Sequence, residues 1–155
     1  MAVTVLFLCH DNAVLSPMAE AYLNAAGEGD VRAFSAGLEP AARLGERVAG
    51  VLGENGIPAS GLQPKAWQLF ALDHAPMPDM VIALTPGLHA ALRDAWPRHV
   101  QRADWQVPGV PASGAMHHAA REATREAFRA IRRATRLALD HGSLRRPARA
   151  LRRSA

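Results

Sequence analysis

The chain of 155 residues has only one cysteine, Cys9. A lone cysteine cannot form an intramolecular disulfide, and it excludes metal sites that need several cysteines. Such low cysteine usage is typical of proteins of the reducing cytoplasm, and we expect a cytoplasmic protein.

Long apolar runs are also absent. The first apolar run, residues 3–8, is too short for the core of a signal peptide, and it has neither a basic lead-in nor a small-residue cleavage pattern. No run approaches the length that a membrane-spanning helix needs. With 49% hydrophobic residues and a mean hydropathy of −0.06, the chain has the composition of one soluble globular domain.

The formal net charge of +4 is unevenly distributed. Residues 121–155 contain eleven arginines against three acidic residues, a net of +8, whereas residues 1–120 have seven basic and eleven acidic residues, a net of −4. A basic segment can bind nucleic acid, anionic lipid or an acidic partner. Aromatic residues do not alternate with these arginines beyond Phe128, so we favour a solvated helix face followed by a solvated tail.

Apolar runs alternate with helical patterns along the chain. We predict strands at residues 3–8, 31–36, 79–84 and 99–103, long helices at 18–26, 41–54 and 115–140, and short helices around residue 67 and between residues 87 and 96. This order predicts an α/β fold, a four-stranded parallel sheet with helices on both faces. We place the domain at residues 1–141 and a basic tail at 142–155.

Cys9 follows the first predicted strand, and Ser16 and Pro17 start the first helix, with Ser16 expected to cap it. Ligands of parallel α/β sheets bind beyond the carboxyl ends of the strands. The N–H groups and dipole of a helix N-terminus favour a thiolate and a bound oxyanion there. We therefore predict that Cys9 and Ser16 are the catalytic residues. The predicted anion-binding loop consists of His10, Asp11, Asn12, Ala13, Val14 and Leu15.

Transfer of a phosphoryl group to a cysteine requires more than the nucleophile. An arginine must hold the equatorial oxygens, a hydroxyl should hydrogen-bond the thiolate, and a carboxylic acid must protonate the leaving oxygen. The spacing of a cysteine-dependent phosphatase loop puts the arginine six residues after the cysteine, where this chain has Leu15. The motif predicts both the position of the site and its impairment.

Residues 9–20, with residues 34–37, resemble the low-molecular-weight protein tyrosine phosphatases and the arsenate reductases of the same fold. The family loop is Cys-X-Gly-Asn-X-X-Arg-Ser, followed by Pro-Met-Ala-Glu-Ala or a close variant. The matching residues are Asn12, Ser16, Pro17, Met18, Ala19, Glu20 and Ala21. The similarity continues through residues 56–58, 79–82 and Trp105, so it covers about residues 2–140.

The chain departs from the family at the chemically important positions. Leu15 replaces the arginine and Asp11 replaces a glycine, and both changes should disfavour a bound oxyanion and raise the pKa of Cys9. We expect the Leu15 side chain to turn toward apolar neighbours. Gly109 stands where the resemblance places the general-acid aspartate, and Asp104 precedes Trp105 instead of following it. No further cysteine can relay a disulfide as in some of the arsenate reductases.

Purely structural interpretations exist for the same residues. Cys9 could be a small buried residue at the end of a strand, Asn12 a left-handed turn residue and Ser16 only a helix cap. We expect no metal or other cofactor. Adjacent residues such as 9–11 rarely converge on one ion, and neighbouring histidines such as His117 and His118 point in different directions at the start of a helix.

Two classes of function remain open. The first is a catalytically impaired phosphatase-like protein that acts by binding a protein partner or, weakly, a phosphate-like anion. The second is an active or altered phosphatase or arsenate reductase with Cys9 as the nucleophile. Such an enzyme would recruit His10 or a distant arginine, such as Arg43 or Arg93, in place of the missing clamp.

Overall fold

The structure is a computed structural model that describes residues 2–110 and 117–145. The strands are β1 (Val3–Cys9), β2 (Val31–Gly37), β3 (Met80–Ala83) and β4 (Gln101–Asp104). The helices are α1 (Leu15–Ala26), α2 (Val48–Glu54), α3 (Leu88–Ala91) and α4 (His117–Asp140), with a 3₁₀ helix at Trp67–Phe70.

The four strands form one parallel sheet in the order β2-β1-β3-β4. β1 is the longer of the two central strands, and Cys9 at its carboxyl end lies beside Gly37 of β2. The predicted four-stranded parallel sheet is confirmed. Its register brings the ends of β1 and β2 together, and the residues that follow these strands are therefore neighbours.

Alternate residues of β1 belong to two separate cores. Val5, Phe7 and Cys9 are buried in a cluster to which α1, α2 and α4 contribute, whereas Leu6 and Leu8 are buried with residues of the 3₁₀ helix and α3. This alternation is the period of a β-strand, whose successive side chains point to opposite faces. Helices on both faces of the sheet are therefore confirmed.

The predicted helix at residues 41–54 is too long, because α2 begins only at Val48. Its expected first turns instead supply hydrogen bonds to the Cys9 loop. The Ala41 N–H donates to the Asp11 carbonyl at 2.9 Å, and the Gly45 N–H donates to the Ala13 carbonyl at 2.8 Å. Backbone donors that are committed to another segment cannot serve a helical ladder.

The predicted capping role of Ser16 is wrong. Val14 occupies the N-cap position of α1, and no side chain caps the helix there. Ser16 lies inside the first turn, fully buried, and its hydroxyl is close to Cys9. The Ser16 hydroxyl therefore contacts Cys9 and does not cap the helix.

The chain remains packed beyond the predicted domain end at residue 141, because Leu144 is buried in the cluster of α1 and α4. Residues 146–155 of the predicted tail lie outside the described part of the chain. Among the described residues, no helix combines the length and the apolar character that a membrane crossing requires.

Candidate active site

Cys9 is buried at the carboxyl end of β1, with 1% of its surface exposed. Its sulfur lies 2.9 Å from Ser16 Oγ and accepts the Asn12 main-chain N–H at 3.2 Å. The structure thus brings together the two predicted catalytic residues, which are seven positions apart in the chain. A hydroxyl and a main-chain N–H can both donate to a thiolate, which makes this a site able to hold one.

Asn12 orients the Ser16 hydroxyl. The Asn12 Oδ1 accepts the Lys65 main-chain N–H at 2.9 Å, and its Nδ2 donates to Ser16 Oγ at 2.8 Å. Because a main-chain N–H can only donate, the Lys65 contact determines which end of the amide faces Ser16. Ser16 Oγ already accepts from Asn12, so its own proton can be directed at the Cys9 sulfur.

The Asn12 backbone has a φ of +50°, in the left-handed region. Asparagine tolerates this region better than most residues, as the turn interpretation of the sequence expected. The left-handed residue reverses the chain directly after Cys9. The Asn12 N–H can then point back at the sulfur.

Asp11 places a carboxylate inside the same turn. Its Oδ1 accepts the Ala13 main-chain N–H at 3.0 Å and lies 3.6 Å from the Cys9 sulfur. The residue itself is exposed to solvent. A negative oxygen therefore lies next to the nucleophile, where the family loop has a glycine.

Burial raises the pKa of the Cys9 thiol. The hydrogen bonds from Ser16 and Asn12 act in the opposite direction, whereas the charge of Asp11 raises the pKa further. Burial penalises the thiolate because it removes water from the charged form. The net effect is a raised pKa, which favours the thiol, the less nucleophilic form, over the thiolate.

Leu15 is 7% exposed and belongs to the core cluster that also contains Met18 and Phe7. The prediction that its side chain turns toward apolar neighbours is confirmed. Burial of a leucine side chain is favourable by about 1.5–3 kcal/mol relative to exposure. The position at which the family has its arginine therefore supplies packing, and it brings no charge to the site.

Residues 37–45 cover the loop from outside. Besides the contacts of Ala41 and Gly45, the Glu39 N–H donates to the His10 carbonyl at 2.8 Å. Gly37 is in close contact with the turn, since a Cβ there would lie 2.9 Å from Asn12 N and 3.0 Å from the Asp11 carbonyl carbon. The loop backbone is thus held against the segment that follows β2.

The groups predicted to replace the missing arginine, His10, Arg43 and Arg93, are all exposed to solvent. His10 is largely exposed, and its Nε2 lies 3.4 Å from Glu39 Oε2. Arg43 is exposed and lies between the two residues, 41 and 45, that hydrogen-bond the loop. Arg93 is also exposed, in the segment that follows α3.

The segment that should carry the general acid follows β4. Trp105 packs on Phe7 with ring centroids 5.6 Å apart, which ties this segment to β1. Asp104 is 70% exposed at its side chain and lies 3.7 Å from His89 Nε2. Gly109 is exposed and offers no carboxylate.

The sequence did not reveal the role of Lys65. Its carbonyl accepts the Gly37 N–H at 2.9 Å, its N–H donates to Asn12, and its ammonium lies 3.8 Å from Glu20 Oε1. Burial raises the pKa of Glu20, and the charge of Lys65 opposes this shift. The sequence motif at residues 34–37 indicated the neighbouring strand β2, but no local sequence feature indicated a role for Lys65. Among the side chains that the structure describes, in residues 2–110 and 118–145, no three His, Cys, Asp or Glu residues are grouped so that they could hold a metal ion.

Solved structures of similar fold include arsenate reductases and the protein Wzb. An arsenate reductase in its phosphate-binding state has a TM-score of 0.71 and 25% identity, with 90% of this chain and 98% of that chain covered. The thioredoxin-dependent arsenate reductase of Corynebacterium glutamicum has a TM-score of 0.68 and 25% identity over 92% of this chain, which spans 63% of that protein. Vibrio vulnificus Wzb in complex with benzylphosphonate, at 17% identity, has a TM-score of 0.71 and coverages of 91% and 99%, which shows a shared fold.

A search of curated proteins finds no significant match. The family model described as low molecular weight phosphotyrosine protein phosphatase matches residues 4–110. The match includes β1, the Cys9 loop and α1 through β4, and so contains every loop residue predicted from the sequence. This chain therefore belongs to the low molecular weight phosphotyrosine protein phosphatase family.

Proposed function

We propose that this protein is a catalytically impaired member of its family. In this proposal it acts by binding a protein partner or, weakly, a phosphate-like anion, and catalytic turnover is negligible. The nucleophile and its hydroxyl partner are present, since the Cys9 sulfur lies 2.9 Å from Ser16 Oγ. The groups that would bind and protonate a substrate are not at their family positions.

The observation that carries this proposal is the burial of Leu15 in the core. A family enzyme uses this position for the cation that holds the phosphoryl oxygens, and a buried isobutyl group cannot do so. The carboxylate of Asp11 adds a negative charge 3.6 Å from the sulfur. Both features act against a dianionic transition state.

The expected loss of activity is large. Removal of a preorganised charge clamp costs about 3–4 kcal/mol of transition-state stabilisation, and each 1.36 kcal/mol is about a factor of ten in rate. A missing general acid costs a further factor of about 10²–10⁴. Because both are missing at their family positions, we expect activity many orders of magnitude below that of an active relative.

The first test is hydrolysis of p-nitrophenyl phosphate by the parent chain and by Cys9→Ser. We expect the two proteins to be indistinguishable. Circular dichroism and a melting curve verify that both are folded. Clear turnover by the parent that Cys9→Ser abolishes would refute the proposal.

The second test restores the family residues. The variant combines Asp11→Gly, Leu15→Arg and Gly109→Asp, with Val110→Pro added if the loop requires it. Cys9-dependent turnover in this variant and none in the parent would support an impaired phosphatase. The matched control adds Cys9→Ser to the restored variant and should be inactive.

The alternative function is an active or altered phosphatase or arsenate reductase with Cys9 as the nucleophile. The observation in its favour is that two donors, from Ser16 and Asn12, still serve the sulfur. Arg43 is the better placed of the two candidate cations, since its neighbours at 41 and 45 hydrogen-bond the loop. If the parent shows turnover of p-nitrophenyl phosphate or arsenate, Arg43→Ala should abolish it and Arg93→Ala should not.

A further inference from the structure

The carboxylate of Asp11 is bonded to a main-chain donor of its own loop. We infer that Asp11 is a specificity-determining residue, whose carboxylate takes the place of an external oxyanion in the loop and weakens the binding of phosphate-like ligands there. This inference rests on the proposed function, because it explains why the site of an impaired phosphatase would bind the phosphate-like ligand of an active one only weakly.

The position of one oxygen atom carries the argument. Asp11 Oδ1 is 3.0 Å from the Ala13 N–H and 3.6 Å from the Cys9 sulfur. An anion held beside the nucleophile would have to place an oxygen in this space and accept a hydrogen bond from the loop. The Ala13 N–H already has an acceptor, and an incoming oxygen would have to displace it.

The charge of Asp11 acts in the same direction as its hydrogen bond. A phosphate dianion at this position would approach a carboxylate with no arginine at position 15 to offset it. The Cys9 S–H group can also donate to Asp11 Oδ1, which favours the thiol over the thiolate. Asp11 therefore disfavours a bound anion in two ways: its oxygen already accepts the Ala13 N–H, and its negative charge repels the anion.

The effect of the hydrogen bond and the effect of the charge can be tested separately, because hydrogen bonds that do not involve the Asp11 side chain hold the loop backbone in place. The carbonyl groups of Asp11 and Ala13 accept hydrogen bonds from Ala41 and Gly45, whichever side chain stands at position 11. Asp11→Asn removes the charge but keeps an oxygen that can accept the Ala13 N–H. Asp11→Ala removes both the charge and the acceptor.

The experiment is isothermal titration calorimetry with inorganic phosphate on the full chain at pH 7 and constant ionic strength. We expect Asp11→Ala to bind phosphate at least roughly tenfold more tightly than the parent, and Asp11→Asn to gain clearly less. Glu39→Gln is the matched control. It removes a carboxylate from the segment that covers the loop, at a side chain that is 78% exposed, and it should bind as the parent does.

Three outcomes would overturn the inference. The Asp11→Ala variant could bind no better than the parent, Asp11→Asn could match Asp11→Ala, or Glu39→Gln could reproduce the gain. The second outcome would mean that Asp11 acts only through its charge. The third would mean that any carboxylate near the loop weakens phosphate binding, and that Asp11 has no special role. Melting curves verify folding, and Asp11→Gly, with the residue of the family loop, replaces Asp11→Ala if the alanine variant is unfolded. Turnover by the parent would refute the proposed function alone, since this titration measures binding.

Discussion

The Lys65 main-chain N–H donates a hydrogen bond of 2.9 Å to Asn12 Oδ1 across 53 positions of the sequence. The contact orients the Asn12 amide, and the amide in turn donates to Ser16 Oγ, which lies 2.9 Å from the Cys9 sulfur. One main-chain group of a distant segment thereby fixes the orientation of the amide that bonds Ser16, the hydroxyl neighbour of the nucleophile. The local environment of Cys9 depends on this long-range contact as much as on the loop itself.

Asn12→Ala should destabilise the protein by about 1–3 kcal/mol, because it leaves the partly buried Lys65 N–H without its acceptor and removes a residue that tolerates a left-handed backbone. Urea unfolding of the parent and the variant measures this difference. Asn55→Ala is the comparison and should cost less, since Asn55 is exposed at the end of α2, where its amide donates to the Val51 carbonyl at 2.8 Å and accepts from Arg132 at 3.4 Å. An equal loss in both variants would show that the Asn12 contacts have no special role.

Gly37→Ala should destabilise the protein by about 1–3 kcal/mol, because the new Cβ would meet Asn12 N at 2.9 Å and the Asp11 carbonyl carbon at 3.0 Å. These are backbone atoms of the loop, so the loop would have to move. Gly50→Ala in α2 is the control, because a Cβ there meets open space. This substitution should increase stability by about 0.5–1 kcal/mol, since alanine is a better helix former than glycine. Melting temperatures that move in opposite directions are the expected result, and a stabilised Gly37→Ala would contradict the packing.

Leu15→Ala should destabilise the protein by about 2–4 kcal/mol, since it leaves a cavity in the core next to the loop. Leu137→Ala serves as the comparison, because Leu137 is 53% exposed on α4 and should cost no more than about 0.5 kcal/mol. Chemical denaturation gives both values. If the two variants lose the same stability, Leu15 is not a core residue in solution.

The raised pKa of Cys9 predicts a change of stability at alkaline pH. A folded-state pKa above the unfolded value means that the thiol form contributes stability below the unfolded pKa, about 8.5, and that this contribution is lost as the pH rises through the folded pKa. The free energy of unfolding of the parent should therefore fall relative to Cys9→Ser as the pH rises above about 8.5.

Paired urea titrations between about pH 7 and pH 10.5 measure this difference, and the difference in ultraviolet absorbance between the parent and Cys9→Ser follows the thiolate. Subtraction of the Cys9→Ser curve removes the titration of other alkaline groups, which the two proteins share. A difference that is independent of pH, or a parent that gains stability with rising pH, would contradict the raised pKa.

Local patterns were sufficient for most of the strands and helices, since the strands predicted at residues 79–84 and 99–103 became β3 and β4 and the predicted last helix became α4. The apolar run at residues 3–8 became β1 with Cys9 added, and the strand at residues 31–36 became β2 with one additional residue. The helix predicted at residues 18–26 became α1, which begins three residues earlier, at Leu15, and ends at Ala26. The burial of Leu15 was also predictable, because an apolar side chain in a loop beside a core gains free energy by joining it. In each case the residues that decide the structure are close in sequence.

The other features required the tertiary structure. A serine at a helix start can cap the helix or bond another group, and only the return of the loop to the end of β1 gave Ser16 a sulfur as its neighbour. Residues 41–45 have a helical pattern, yet two of their N–H groups bond the carbonyl groups of Asp11 and Ala13. The same holds for Lys65, whose partners Asn12, Gly37 and Glu20 come from three other segments. Hydrogen bonds between distant segments follow from the packing of the sheet, and local sequence preference carries no information about them.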